Sequence, residues 1–447
     1  LKKLSVQINA LQSFIAKKDS GIKALFVTNM FGNILRLVSN LILARLLSPD
    51  TFALTGLAIT IVFALEMMSD GGVRPFILRH KSGDQAEFLQ TTWTIQLIRN
   101  FLLTTLLFFS AETLAEYFKI GELEDVLKVL CITVLLRGFV QIGYIALERQ
   151  YKIALILYIQ FWCNTFAIIF MVVGVYFTES YWPIVFSSIV RTSLQIFLGH
   201  FFIGYHGTGF RWDSRLFFEF LGWAKYIIPS SFITLIIMQV DKLVLGSTLS
   251  TTELGLYFVA FSLSSAVYLL CHQYVKGVLQ AYLSIVYRET PSQYIEKYYR
   301  KKNKLISLLS FGIGLLCGAS YLFFWLLYDE RYLSSAYYLQ FLLIRPVFLL
   351  FTYSSEVTLL LLGQLRATLI VNIIRLLWLA AAMPLGYHYL GVLGLLLSIA
   401  LIELCPAVYL IVKLKMIGMI KIRKEIIILV PAIIGFCIAK SGEILIM

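Results

Sequence analysis

The residues best suited to chemistry in this sequence are arginines and amides set inside long apolar stretches. Arg36 lies near the middle of "TNMFGNILRLVSN" together with Asn29, Asn33 and Asn40. At 100° per residue these four positions fall within about 60° of one another, so they share one helical face. Thr92, Gln96 and Arg99 share a face in "TTWTIQLIRN", and Arg137, Gln141, Tyr144 and Glu148 share another. Arg191, Arg345 and Arg375 bring the arginines deep inside apolar stretches to six. Guanidinium forks grip phosphate oxygens in pairs and stay charged in a partly dry site, while amides and phenols hydrogen-bond hydroxyl groups. The chemistry on offer is recognition of a polar anion. No catalytic residues are assigned. No metal site is expected, because Cys131, Cys163, Cys271, Cys317, Cys405 and Cys437 lack paired ligand spacing and read as buried small hydrophobes.

The elements carrying these side chains must be membrane-spanning helices. Hydrophobic residues make up 59% of the chain and charged residues 14%, far from soluble composition. Apolar runs of about 20 residues, enough to cross hydrocarbon, recur along the whole length. They lie near 24–47, 52–70, 88–110, 126–147, 153–177, 182–205, 222–246, 254–285, 305–328, 336–362, 367–386 and 391–413. The fold class is therefore an all-α integral membrane protein of about twelve helices. No cleavable signal peptide is expected, since the first apolar run is too long for one. Whether the run from Ile426 to Met447 spans is left open by Lys440, Ser441, Gly442 and Glu443 within it.

Charge gives the orientation. Basic residues gather in alternate connections, including Arg79 and Lys81, Arg149 and Lys152, and Lys297, Arg300, Lys301, Lys302 and Lys304, which predicts a cytoplasmic side holding both ends of the twelve-span unit. The net charge of +13 thus reflects topology, and no nucleic-acid partner is expected. Residues 1–23 read as an amphipathic helix lying on membrane lipids, 24–205 as one six-helix lobe, 206–221 as a cytoplasmic linker and 222–413 as a second lobe. Residues 414–447 read as a basic segment with an extra hydrophobic helix. Connections of at most roughly twenty residues leave no room for a folded catalytic domain outside the membrane.

Sliding the chain by 202 residues sets "LILARLLSPDTFALTGLAITI" on "LVLGSTLSTTELGLYFVAFSL" without gaps, matching helix end, turn and exit. Six helices per copy give a parallel repeat, the plan of transporters that hold cargo between two halves and alternate access by rocking. A central arginine costs roughly 2.5–3.5 kcal/mol in lipid, against about 0.3–0.6 recovered per large apolar residue, so these six must face protein or water. Glu66, Asp241, Glu356 and Glu403 also lie within spans, and Asp70 and Glu148 near span ends, so internal pairing is the competing explanation. The first half holds four deep arginines against Glu66 alone, which predicts a cationic, amide-lined cavity weighted toward that half. Such a cavity suits a lipid-linked pyrophosphoryl oligosaccharide. Buried acids bind protons or sodium in other transporters, which makes Glu66, Asp70, Asp241 and Glu356 candidates for H+ or Na+ coupling; no other cofactor is expected. Pro229, Pro346, Pro384 and Pro406 are expected to interrupt second-half helices.

The stretches "LILARLLSPDTFALTGLAITIVFALEMMSDGG", "TTWTIQLIRN", "ALERQYKIA" and "VDKLVLGSTLSTTELGLYFVA" resemble the polysaccharide-transporter branch of the multidrug/oligosaccharidyl-lipid/polysaccharide exporter superfamily, the Wzx-type flippases. The resemblance implies two MATE-like six-helix lobes around a central cavity. It implies cargo on an undecaprenyl pyrophosphate carrier, moved from the cytoplasmic to the periplasmic leaflet of a bacterial inner membrane for O-antigen or exopolysaccharide synthesis. A polysaccharide polymerase and chain-length machinery are the implied partners. Asp70 and Asp241 stand where such patterns commonly carry an acid. Two rivals stand beside this reading. A MATE-like ion-coupled exporter of cations would present acids to its cargo, and a membrane-embedded polymerase would need a large outer loop, whereas His388 is the only histidine in the outer connections.

Overall fold

The computed structural model describes residues 20–150, 153–203, 207–290, 293–364, 366–419, 425 and 429–446, with the side chains of 20–30 and 444–446 outside the description. The amphipathic segment expected over 1–23 therefore lies almost wholly outside the described residues. Every described element is helical. In order they are α1 (Ser20–Leu46), α2 (Pro49–Met68), α3 (Val73–Arg79), α4 (Ala86–Phe118), α5 (Glu122–Gly138), α6 (Gly143–Arg149), α7 (Ile153–Thr178), α8 (Trp182–Ile203) and α9 (Ser214–Thr248). There follow α10 (Thr251–His272), a π-helical turn (Gln273–Leu279), α11 (Gln280–Glu289), α12 (Tyr294–Gly318), α13 (Ser320–Leu327), α14 (Ser335–Leu361), α15 (Arg366–Leu390), α16 (Val392–Ala400), α17 (Leu404–Met416) and α18 (Leu429–Ile446).

Among the described residues nine helices are long and apolar enough to cross a membrane, and eleven when two bent pairs each count as one span. The bent pairs are α5 with α6, at 52°, and α12 with α13, at 63°. Each of the twelve apolar runs read from the sequence falls on a helix or on consecutive helical segments. This is a multi-pass helical membrane protein.

Local sequence explains the helix ends. Ser250 and Glu253 form a capping box at the start of α10, each side chain serving the other's backbone N–H. Asp213 accepts the N–H groups of Arg215 and Leu216, so α9 begins within the stretch expected as a linker. Gly72 adopts φ 72°, a left-handed conformation that a side chain disfavours, and its N–H is taken by Asp70 Oδ1 at 2.9 Å. Pro229, Pro346 and Pro384 lie inside α9, α14 and α15. Pro406 instead sits in the first turn of α17, where no backbone donor is needed, so the break before it belongs to Leu401–Glu403.

The chain divides into two compact units, the first comprising Leu1–Leu47 and Leu54–Leu235, the second Ser48–Ala53 and Ile236–Met447. The division falls inside α9 rather than in a loop. In the first unit α1 packs along α7, with Phe31 and Phe161 rings 5.5 Å apart, and a core of Phe76, Phe88, Trp93 and Phe220 fixes α3, α4 and the start of α9. In the second, α18 lies along α12, where Gly314 and Gly318 let it approach: a Cβ at Gly314 would collide with Ala432 O, and one at Gly318 would come 2.9 Å from Ala439 Cβ. This small-residue seam is the way apolar helices associate where lipid offers no hydrophobic drive. Of the cysteines, Cys131, Cys163 and Cys271 are buried, Cys317 is half-buried, and Cys405 and Cys437 are exposed, because helices of a membrane protein leave apolar side chains on their outer surface.

Candidate functional site

The charged residues at issue in the first unit come from five helices. Glu66 and Asp70 follow one another by a turn at the end of α2, Arg99 stands on α4, Arg137 on the last turn of α5, Arg191 on α8 and Arg36 on α1. Arg137 is placed by the break between α5 and α6. There the regular helical pairing ends, the Arg137 carbonyl keeping only a turn bond from Val140 N–H at 3.3 Å, and Gln96 Nε2 donates to the carbonyls of Arg137, Gly138 and Val140 at 3.3, 3.0 and 3.0 Å. Gln96 therefore braces the backbone that carries an arginine, a role its position on the Arg99 face does not announce. Gln141 is buried in the same break.

Pairing in this unit is uneven. Arg137 is ion-paired with Glu66 Oε2, whose Oε1 is buried without a hydrogen bond. Arg99 reaches Asp70 only at 3.9 Å, and its Nε is buried without an acceptor. Arg191 has no carboxylate within ion-pairing distance among the described residues, and it feels the charge of Arg137. Asn33 and Asn40 are half-buried on α1, Asn33 Nδ2 lacks an acceptor, Arg36 is exposed, and the side chain of Asn29 lies outside the described residues. A set of four arginines against two acids leaves this part of the unit positive.

At one end of the same unit the arginines do structural work. Arg74 makes a two-bond pair with Glu148, at 2.8 and 2.5 Å, and that hydrogen bonding raises its pKa above the usual guanidinium value. Arg149 pairs with Asp84 at 2.9 Å and donates to the carbonyls of Ile77 and His80, closing the end of α3.

The second unit neutralises its acids internally. Arg375 is 5% exposed and donates to Glu403 at 2.8 Å, Glu356 at 3.0 Å and Asn372 at 2.9 Å, while Thr352 donates to Glu403 at 2.9 Å. Asp241 accepts from its neighbour Lys242 at 3.1 Å and from Tyr257 at 2.7 Å, all three buried. Arg345 is half-buried, has no carboxylate within ion-pairing distance among the described residues, and lies over the Tyr268 ring at 5.8 Å. The competing explanation of internal pairing thus describes Arg375 fully, Arg137 and Arg99 in part, and Arg191 and Arg345 not at all.

Sequence reasoning misses two partners. Lys302, expected in a basic connection, lies on α12, fully buried, 2.5 Å from Glu425 and 2.9 Å from Tyr298 Oη. Lys242 escapes notice because a lysine next to an aspartate in sequence reads as a surface pair. Its helical neighbour on the preceding turn, Met238, supplies a carbonyl at 2.9 Å, a contact only the fold reveals.

Comparison with known proteins adds the following. A search of curated proteins by sequence finds no match. Among solved structures the chain is similar to the lipid II flippase MurJ in an inward closed conformation, with TM-score 0.72 and 16% identity over 93% of this chain and 92% of that one. It is also similar to a multidrug resistance MATE family transporter of the MOP superfamily in an inward-facing conformation, with TM-score 0.63 and 15% identity over 89% and 98% of the two chains. A third similar structure is the Vibrio cholerae MATE transporter VcmN in its bent form, with TM-score 0.53 and 14% identity over 94% and 99%. At such identities the likeness establishes the fold. The family model for polysaccharide biosynthesis proteins matches residues 42–337, so on a fold shared with MurJ and the MATE transporters of the MOP superfamily this chain belongs to the polysaccharide biosynthesis protein family.

Proposed function

We propose that this protein is a flippase that carries undecaprenyl-pyrophosphate-linked oligosaccharide from the cytoplasmic to the periplasmic leaflet of a bacterial inner membrane, by alternating access, for O-antigen or exopolysaccharide assembly. The observation that carries the reading is Arg191, a span arginine beside Arg137 with no carboxylate of its own among the described residues. A guanidinium left in that state has spare donors and surplus charge, which a pyrophosphate satisfies in bidentate fashion. Arg36, Arg99, Asn33 and Asn40 extend the polar surface of the same unit toward a hydroxyl-rich cargo. The family, named for polysaccharide biosynthesis, and a fold shared with a lipid II flippase support the class of cargo.

Coupling to H+ or Na+ belongs to the proposal, with Glu66, Asp70, Asp241 and Glu356 as its acids. Neutralising the coupling acid removes gradient-dependent flipping; retention of that dependence in all four single amide variants places coupling elsewhere. The central test is a deletion strain. Lipid-linked oligosaccharide should accumulate on the cytoplasmic leaflet, and wild type should relieve it while Arg191→Gln and Arg36→Ala should not. Absence of accumulation counts against flipping, and full rescue by a variant removes that arginine from the path.

A further inference from the structure

Most of the deep acids described in the second unit are paired with a cation. Lys242 is held by Asp241, and Arg375 bridges Glu356 and Glu403. Lys276, in the π-helical turn, acts on Glu356 only at longer range and lies over the Tyr353 ring at 4.9 Å. Arg345 is the eleventh residue of α14 and so about 15 Å along it, near mid-membrane depth. Its Nε is buried and has no acceptor.

The surroundings of Arg345 are aromatic. Its guanidinium lies over Tyr268, whose hydroxyl is 2.5 Å from that of Tyr353. His272 stacks parallel to Tyr268, with ring centroids 6.5 Å apart, and meets Tyr353 edge-on at 5.5 Å. Tyr268 and His272 are only half-buried, so ring surface remains open beside the cation. The planar fork of Arg345 matches a carboxylate in two parallel hydrogen bonds, and Lys276, over the Tyr353 ring, adds a second positive charge to the same site. Aromatic faces next to such a fork suit the C–H face of a pyranose ring, with phenol and imidazole edges for its hydroxyls.

We propose that Arg345 with Tyr268, His272 and Tyr353 forms an acidic-sugar subsite, in which the guanidinium binds the carboxylate of a uronic-acid residue of the oligosaccharide. This rests on the flippase reading above and adds the chemical class of the glycan.

The test uses the full chain in detergent, following its thermal unfolding midpoint in glucuronate, glucose or inorganic pyrophosphate at matched ionic strength. Glucuronate should raise the wild-type midpoint where glucose does not. Arg345→Gln should lose that rise while keeping the response to pyrophosphate, and Arg191→Gln should show the opposite pattern. If Arg345→Gln folds poorly, Arg345→Lys retains the charge without the fork and should weaken the glucuronate response severalfold. An absent glucuronate rise, an equal rise with glucose, or an undiminished rise in Arg345→Gln and Arg345→Lys overturns the subsite. Loss of the pyrophosphate response in Arg345→Gln also overturns it, since the residue would then read phosphate. A glucuronate response tied to Arg345 with no pyrophosphate response in wild type upholds the subsite and sinks the pyrophosphate reading of the first unit.

Discussion

Arg191 stands close enough to Arg137 for their guanidinium groups to repel each other, and of the two only Arg137 has a carboxylate partner among the described residues. A residue retained for stability would not be placed this way. Arg191 is exposed, and replacing it by glutamine removes like-charge repulsion, so the thermal stability of the purified protein should stay level or rise, by up to about 1 kcal/mol. Transport should fall severely. A variant that is both less stable and still active would show that Arg191 is structural.

Gln96 gives the contrasting case. Its amide serves three carbonyls at the α5–α6 break, and Gln96→Leu leaves them without that donor in a half-buried place. The cost should be about 1–3 kcal/mol in unfolding free energy, with transport lost in step because Arg137 loses its support. Gln96→Glu, which offers acceptors to acceptors, should be worse than leucine. Denaturant unfolding of the three proteins in one detergent decides the order.

These two residues show where a sequence can be read and where it cannot. Gln96 and Arg99 lie on one helical face by spacing alone, and the apolar runs locate every span, because both follow from the period of a helix and the thickness of a bilayer. What each side chain does is settled by partners distant in sequence. Gln96 meets carbonyls more than forty positions away, and Arg375 meets Glu403 twenty-eight positions on. Lys302 is the sharpest instance: within "YYRKKNKL" nothing distinguishes it from the other lysines, and its burial depends on Glu425, over a hundred residues later. The ends of α9 and the unit boundary inside it are equally hidden, since a helix that passes from one unit to the other leaves no break in its hydrophobic pattern.

The Lys302–Glu425 pair should behave as a buried ion pair. Both side chains are shielded, and Tyr298 and Tyr299 complete their hydrogen bonds at 2.9 Å each. Lys302→Met leaves a lone buried carboxylate and should cost about 3–5 kcal/mol, whereas Lys302→Met with Glu425→Leu should recover much of that loss. A double variant whose loss equals the sum of the two single losses would mean that the residues contribute independently. The readout is the coupling free energy from a double-mutant cycle of thermal unfolding.

Gly314 tests the seam between α12 and α18. Any Cβ there meets the backbone carbonyl of Ala432, which cannot rotate away as a flexible side chain would. Gly314→Val should therefore push α18 off α12, whereas Gly312→Ala, at a position where a Cβ meets nothing within 4 Å, should be tolerated. Because both substitutions add apolar volume to one helix, lipophilicity and helix propensity change in the same direction, and only the contact differs. A cysteine pair across the seam reads the separation: with cysteines at Leu315 and Phe436, oxidative crosslinking should be efficient in the Gly312→Ala background and lost with Gly314→Val. Equal crosslinking in both would show that α18 is held by something other than this close approach, with the Lys302–Glu425 tether as the next element to remove.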